Sequence, residues 1–449
     1  MGSHPVILEP PPWALSREHT RRGYVAEGRV ILRPDAANSR FEGTLTLNRE
    51  ELLQEKQIDI KLVAGVGFVP GIGFNAEDRV YAEVCIVRRV LKAADVEFAV
   101  KGGSVLACGG GGWPEHGREL GTLAVTIGRP ELVTLDEVED SAWIATAAAI
   151  GAPGGLTDWQ MLGMDYVTAA RLLQEALGAP LYGLMIGQNG MSSTVNAWLP
   201  AAVLGVKVID AVGDVRAHPT GDMGSIGLAG RPEPTIQTVA GGNRAKNSYM
   251  EATFKGATGK ISPVLRAASD ASGGFIASCR NPVPASYVRK HAALGGISIA
   301  LELGHAITDA EPRGAQAVLD AICARLSGEI ILSGKVMEKN LKYTSAAFDV
   351  GQIKLDCGPR QAVLHVMNEY MVVESGGERL ATYPDVITTF TTDGNPISAG
   401  RVEVAMELHV LRVAKNYLPL SASITDPSVY PIVDKTLGID VSAYALAQR

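Results

Sequence analysis

The stretch AWIATAAAIGAPGGLTDWQMLGMDYVTAARLLQEALGAPLYGLMIGQNGMSSTVNAWLPAAVLGVKVIDAVG (residues 142–213) sets the class of fold. AWIATAAAI is a short apolar run closed by Gly-Ala-Pro, the pattern of a buried strand. MDYVTAARLLQEALG carries its apolar residues at helical spacing and stops on Gly. PLYGLMIG reads as a second strand, NAWLPAAVLG as a helix and VKVIDAVG as a third strand. Strand, helix, strand, helix, strand predicts parallel crossovers and an α/β layer.

On either side the pattern changes to strands. Residues 23–89 hold YVAEGRVIL, FEGTLTL, IDIKLVAGVGF and RVYAEVCIV, short apolar/polar alternations separated by Gly, Asn and Asp turns. NREELLQEKQ adds a helical turn or two. These strands are too few for a core of their own, so they are expected to pack on the rest of the chain or on another subunit. RGAQAVLDAICARLSG is a further helix. From residue 329 strands return in EIILSGKVMEKNLKY, AAFDVGQIKLD, QAVLHVMNEYMVVES and ERLATYPDVITTFTT, with turns at Gly376-Gly377 and Asp393-Gly394. The expected fold class is α/β plus β. A strand-rich extension (1–97) precedes an α/β domain with a partly parallel sheet that carries the site (98–328), and a β-rich domain follows (329–449).

The 449 residues are 46% hydrophobic and 20% charged, with a net charge of −7. That composition is globular and argues against a general nucleic-acid or membrane-surface binder. Cys85, Cys108, Cys279, Cys323 and Cys357 are scattered, which fits neither a disulfide framework nor a zinc ribbon and points to a reducing compartment, the cytoplasm. No apolar run reaches the ~18 residues of a membrane span, and no signal-peptide pattern is expected. The opening MGSH looks like an expression remnant and is set aside.

Several stretches offer chemistry. CGGGGWPEHG (residues 108–117) places four glycines in a row, costly in backbone entropy and typical of a close approach to the backbone. Gly109, Gly110, Gly111 and Gly112 either turn their amides to a ligand, with Glu115 and His116 beside them, or make a tight packing turn. No Gly-Lys-Ser/Thr follows, so this is not a phosphate-binding P-loop. IGAPGG with Gly151, IGQNGMSST with Gln188, Asn189, Ser192, Ser193 and Thr194, and VIDAVGD each end a strand, where open α/β sheets gather ligands. Polar loops after strands are also common without any site.

DAVGDVRAHPTGDMG (residues 210–224) spaces Asp210, Asp214, His218 and Asp222 four apart. Gly213, Pro219 and Gly221 interrupt it, so no continuous helix puts them on one face. Asp210, at a strand end, is the strongest candidate. A carboxylate and an imidazole together suit a divalent metal. Arg216 either pairs Asp210 or clamps a substrate carboxylate. A lone loop histidine is more often an exposed polar residue than a ligand. Cys108 and Cys279 lie in no Cys-His pattern, and His291, His305, His365 and His409 read as structural.

Taken in order, VLACGGGGWP, IGAPGG, VNAWLPAAVLGVKVIDAVGDVRAHPTGDM, GGFIASCRNPVPASYVRKHAALGGISIALELGHAI, LSGKVMEKN and NEYMVVESGGERLATYPDVITTFTTDGNPI resemble the S-methyl thiohydantoin desulfurase family over residues 98–449. The resemblance implies an α/β domain followed by a β-rich one. It implies hydrolytic loss of sulfide or thiol from a five-membered cyclic imide or thio-imide ring, with a divalent metal (zinc or manganese) or no cofactor. The family's central Asp-Ala-Asp-Gly-Met-Gly-Arg-Ala-Phe-Pro-Glu motif is matched at Asp210, Ala211, Gly213, Arg216, Ala217 and Pro219, with Met223 beyond it. Val212, His218 and Thr220 replace an Asp, a Phe and the Glu, and MSSTVN keeps Asn196 of a second motif without its acid. Either Asp214, His218 and Asp222 replace those acids, or the metal site is gone and the chemistry altered.

The resulting expectation is a hydrolase-like, homo-oligomeric enzyme. It acts on a small cyclic amide, imide or thiohydantoin and has no nucleic-acid or membrane partner. Asp210 is ligand or base, Asp214 and His218 assist, and Arg216 orients the substrate. Asp210 and His218 hold any metal. Gly109, Gly110, Gly111, Gly112, Gly151, Asn189 and Asn196 contact the substrate. The alternatives are a ring-forming or dehydrating biosynthetic enzyme and a non-catalytic small-molecule-binding assembly subunit on the same scaffold.

Overall fold

The computed structural model describes residues 27–34, 41–46, 80–136, 138–151, 160–344 and 348–447. IDIKLVAGVGF and NREELLQEKQ lie outside the described residues. The chain divides into two units, residues 1–89 and 90–449. In the first, β1 (Glu27–Pro34) pairs antiparallel with both β2 (Phe41–Thr46) and β3 (Val80–Val90).

The second unit opens with α1 (Ala93–Leu106) and α2 (Pro114–Ile127). Its first sheet contains β4 (Glu131–Val133), β5 (Trp143–Gly151), β6 (Gly183–Ile186) and β7 (Lys207–Val212), parallel in the order β4-β7-β6-β5. The crossovers are α3 (Gly163–Leu177) and α4 (Trp198–Leu204). The Asp165 side chain accepts from Leu162 N (2.9 Å) at the start of α3, and Gly178 ends that helix at φ 69°, a left-handed stop. Ile144, Leu184, Val208, Leu173 and Trp198 are fully buried between strands and helices.

Beyond β5 the sheet turns antiparallel through β10 (Phe275–Pro284), β8 (Pro234–Gly241) and β9 (Met250–Ala257). The helices α5 (Thr258–Ala271), α6 (Ala285–His291), α7 (Gly296–Ala310) and α8 (Ala315–Leu326) complete this layer, and the two-residue β11 (Ala293–Leu294) pairs with β7. Helices α1 and α7 touch backbone to backbone. A β-carbon on Gly102 would sit 1.9 Å from Ala300 O, and one on Gly304 would sit 1.8 Å from Phe98 O.

The second sheet is antiparallel. It comprises β12 (Glu329–Thr344), β13 (Phe348–Asp356), β14 (Gln361–Met367), β15 (Glu369–Ser375), β16 (Glu378–Thr382), β17 (Val386–Thr391), β18 (Pro396–Ile397) and β19 (Glu407–Val413), ordered β16-β15-β14-β13-β12-β19-β17-β18. QAVLHVMNEYMVVES, one apolar run in the sequence, is two strands that meet at Asn368, whose φ is 57°. After Val413 the described chain holds α9 (Pro431–Leu437), α10 (Ser442–Leu446) and short 3₁₀ turns. The two sheets share a core, with Val386, Phe390 and Leu411 packed in the same cluster as Leu106 and Ile322. No helix among the described residues is long and apolar enough to cross a membrane.

Candidate functional site

Because β5, β6 and β7 are parallel, their carboxyl ends share one edge of the sheet. A cavity of ≈ 70 Å³ lies there, roughly five times the space one water needs. Gly151, Gly187, Gln188 and His218 line it from the strand ends, and Gly111 and Gly112 from the glycine loop. Arg266 of α5, Arg280 of β10, and Asn368 and Glu369 at the start of β15 close it from elsewhere.

The structure gathers Gly111, Gly112, Gly151, Asn196 and His218 at this cavity. Gly109 lies against the Tyr370 ring, and its carbonyl accepts from Ala399 N (2.9 Å). Gly110 lies beneath Glu369, so a β-carbon there would be 2.2 Å from Oε1. Gly111 and Gly112, at φ 70° and 88°, turn the chain under that carboxyl, and the Gly111 N–H donates to Glu369. The loop's approach to the site is therefore an approach to a side chain of the other sheet.

Beside Gly109 and Gly110, four further candidates lie outside the cavity lining and have other partners. Asp210 Oδ1 accepts from Ile297 N (3.0 Å) and Ser298 N (3.1 Å), and Oδ2 accepts from Ser298 Oγ (2.6 Å). It caps the first turn of α7. Asn189 is fully buried and donates to Val215 O (3.0 Å) and Gly296 O (2.9 Å). Arg216 is fully buried and donates to Ala217 O (2.9 Å), Asp385 O (2.6 Å) and Tyr370 O (2.9 Å), tying the loop after β7 to the second sheet. Asp214 Oδ2 accepts from Tyr383 Oη (2.7 Å) and lies 3.7 Å from His218 Nδ1, near enough to act electrostatically but too far for a hydrogen bond.

The His218 backbone N–H donates to Gln188 Oε1 (2.9 Å). Burial pushes its imidazole below the usual range against the opposing pull of Asp214, so the ring is neutral at physiological pH. Burial pushes the Glu369 carboxyl up to about 8 despite the charges of Arg216 and Arg266, so it holds its proton at pH 7. Arg280 Nε donates to Gln237 Oε1 (2.6 Å). Arg266 donates to Pro219 O, and its guanidinium carbon lies 4.2 Å from the Phe348 ring centroid. Burial lowers both guanidiniums, Arg266 to about 10, and both stay cationic at neutral pH. Both charges act on the carboxyl of Asp222, which burial raises above its ordinary value.

Five lining residues carry a buried polar atom with no hydrogen-bond partner among the described residues: Asn196 Oδ1, His218 Nδ1, Thr220 Oγ1, Arg280 Nη2 and Glu369 Oε2. Buried polar atoms are nearly always paired in folded proteins, so five such exceptions among the residues of one cavity single it out as the candidate site. The donor set does not fit a divalent cation. Among the described residues no group of three or more His, Cys, Asp or Glu converges, Asp210 caps a helix, and two guanidiniums and a protonated carboxyl face the space.

Arg266, Arg280 and Glu369 did not stand out in the sequence. Arg280-Asn281 did carry a signal, since FIASCRNPVP places a charge inside an apolar strand. Glu369 carried none, because its role depends on the glycine loop of the other sheet.

Fold and cavity together define a two-sheet α/β-plus-β protein with a cavity at the strand ends lined by two guanidiniums, His218 and Glu369. The chain matches the S-Me-THD-like N-terminal domain over residues 94–250 and the S-Me-THD-like C-terminal domain over residues 258–418. It belongs to this S-methyl thiohydantoin desulfurase family, as the order of motifs implies. The X-ray crystal structure of a protein from Chromobacterium violaceum is similar in fold, with a TM-score of 0.60 at 23% identity, over 78% of this chain and 96% of that one. No curated protein matches the chain.

Proposed function

We propose that the chain is a hydrolase that replaces sulfur by oxygen at a ring carbon of a small cyclic amide or thioamide of the thiohydantoin class. The observation that carries this reading is the set of five unpaired buried polar atoms around one cavity, in a member of this family. A flat ring with alternating N–H and carbonyl or thiocarbonyl groups offers complementary partners to the Asn196, Thr220 and Glu369 atoms.

Neutral His218 and protonated Glu369 form a base and acid pair whose environments have moved them apart from their ordinary order. His218 takes a proton from water as the C–O bond forms at the sulfur-bearing carbon, and Glu369 gives its proton to the ring nitrogen. The tetrahedral intermediate then expels sulfur, which leaves as a thiol with the proton from His218. The remaining hydroxyl proton returns to Glu369. The net change is a ring C–S bond and water giving a ring carbonyl and a thiol, with both side chains restored. Asp214, held by Tyr383, stands behind His218 and supports the imidazolium that forms in between.

The test is to incubate the full chain with an S-methyl thiohydantoin, with 2-thiohydantoin and with hydantoin, measuring released thiol or sulfide against ring carbonyl formed. Equal amounts of the two products are expected. His218→Asn and Glu369→Gln should each lower kcat by about 10²–10⁴-fold, the scale of a positioned base or acid. Absence of sulfur release from both thio rings by protein that binds hydantoin would leave a binding subunit and overturn the reaction.

A further inference from the structure

Strand β9 (Met250–Ala257) ends the first sheet. It pairs with β8 on one side, and among the described residues no strand pairs with its other side. Its outward backbone groups form an open edge of the kind that accepts another strand. Side chains alternate along it. Met250, Ala252 and Phe254 are half-buried and pack on the apolar cluster that holds Ile261 and Leu265. Glu251, Thr253 and Lys255 are exposed on the opposite face. Glu251 accepts from Tyr249 Oη (2.6 Å), and Lys255 makes no ion pair among the described residues.

A lone charge commonly blunts such an edge. Here the edge carries one charge of each sign, and their spacing makes the strand complementary to itself. In an antiparallel pair, opposed residues lie on the same face, so a two-fold axis between two copies of β9 must pass between one residue and its own copy. With the axis at Thr253, Glu251 stands opposite Lys255 of the second copy, and Lys255 opposite its Glu251. On the other face Ala252 stands opposite Phe254, and Met250 opposite Gly256. Thr253 meets itself, a favourable cross-strand pair. An axis at Glu251 or Lys255 would set like charges face to face. At Ala252 or Phe254 it would leave one charge opposite Thr253 and the other at or past the strand's end. We propose that β9 is the interface of a homodimer, pairing antiparallel with β9 of a second copy about Thr253 and joining the two first sheets into one. A second copy fits better than a foreign strand because the charge pattern is matched by its own reverse.

Glu251, Thr253 and Lys255 do not line the cavity, so changes there test assembly apart from chemistry. Sedimentation equilibrium of the full chain over a range of concentrations should give a dimer or an even multiple of one. Glu251→Lys and Lys255→Glu should each weaken it about tenfold, because the two-fold repeats each repulsion, and the two changes together should restore it. Thr253→Cys should form a disulfide-linked dimer under mild oxidation, since directly opposed β-carbons lie about 5 Å apart. Lys255→Cys should cross-link no more than the unaltered protein, since its copy lies about 14 Å away along the strands. Thermal melting by circular dichroism shows whether each variant is folded. A monomer at every concentration overturns the proposal, and so does an oligomer that neither charge change weakens. An oligomer weakened by each change and not restored by both overturns the pairing about Thr253. If a charge variant does not fold, the Thr253→Cys cross-link decides.

Discussion

Replacing Arg216 by Met should unsettle the joint between the two sheets and leave the cavity's chemistry in place. The guanidinium is 0% exposed and supplies donors to three carbonyls, those of Ala217, Asp385 and Tyr370. The last two belong to the second-sheet half of the unit. Each buried acceptor that loses its donor costs about 1–3 kcal/mol. Part of that returns, because no ion has to be kept out of water. The expected net loss is about 3–5 kcal/mol, the usual range for breaking a buried charged contact. At about 2 °C per kcal/mol for a large domain, the melting temperature should fall by roughly 6–10 °C. Arg216→Lys reaches at most one of the carbonyls and should fall only slightly less far. The assay is thermal melting by circular dichroism, alongside the Kd for hydantoin. Wild-type melting with lost ligand binding would refute the reasoning and put this guanidinium into the site.

Asp210→Ala should cost about 0.5–2 kcal/mol through the lost cap of α7 and leave turnover within a few-fold; a large fall in kcat at unchanged melting would return Asp210 to the chemistry. Glu369 is ordinarily a carboxyl of 4.5 and is raised on folding to about 8, so its protonated form favours the folded state. That contribution is complete below pH ~4.5 and is lost as pH rises through about 8. Denaturant titrations at several pH values should show stability declining across this window, with the decline absent in Glu369→Gln, and turnover should fall above the same pH. Gly110→Ala should displace Glu369 and weaken ring binding, since the new methyl would sit 2.2 Å from Oε1; unchanged affinity would show that the carboxyl is not held in place by the loop. Chelation should alter neither melting nor sulfur release, given the donor set; loss of both on dialysis against a chelator, with recovery on adding zinc or manganese, would overturn that view.

The alternation of strand and helix in residues 142–213 was readable because each element carries its own period and its own stop. Helix α1 was not, because Gly102 and Gly103 look like breakers until α7 is seen lying against them. The strand-end rule led to Gly151 and to the loop that holds His218, and the run of four glycines led to Gly111 and Gly112; all of these line the cavity. The strand-end rule also led to Asp210, which lies outside the lining, for a carboxylate at a strand end serves equally well to accept from the first turn of a later helix, here at Ile297 and Ser298. Likewise Arg216 sits in a motif beside His218, yet its side chain runs to the opposite layer. Neighbours in sequence share a loop without sharing a direction. Arg266, Arg280 and Glu369 come from three distant elements, and no local pattern joins them.

Glu369 and Asn368 close the cavity from the second sheet, while its other walls come from the first. On the ribosome, the parallel strands and the glycine loop emerge long before β15. Until that strand is synthesised and paired, the trough holding His218 and Arg280 stands open and the carboxyl that rests on Gly110 does not yet exist. A nascent chain therefore completes this cavity late and in one step, and a nonsense mutation anywhere before residue 369 leaves the first sheet without the residues that close it.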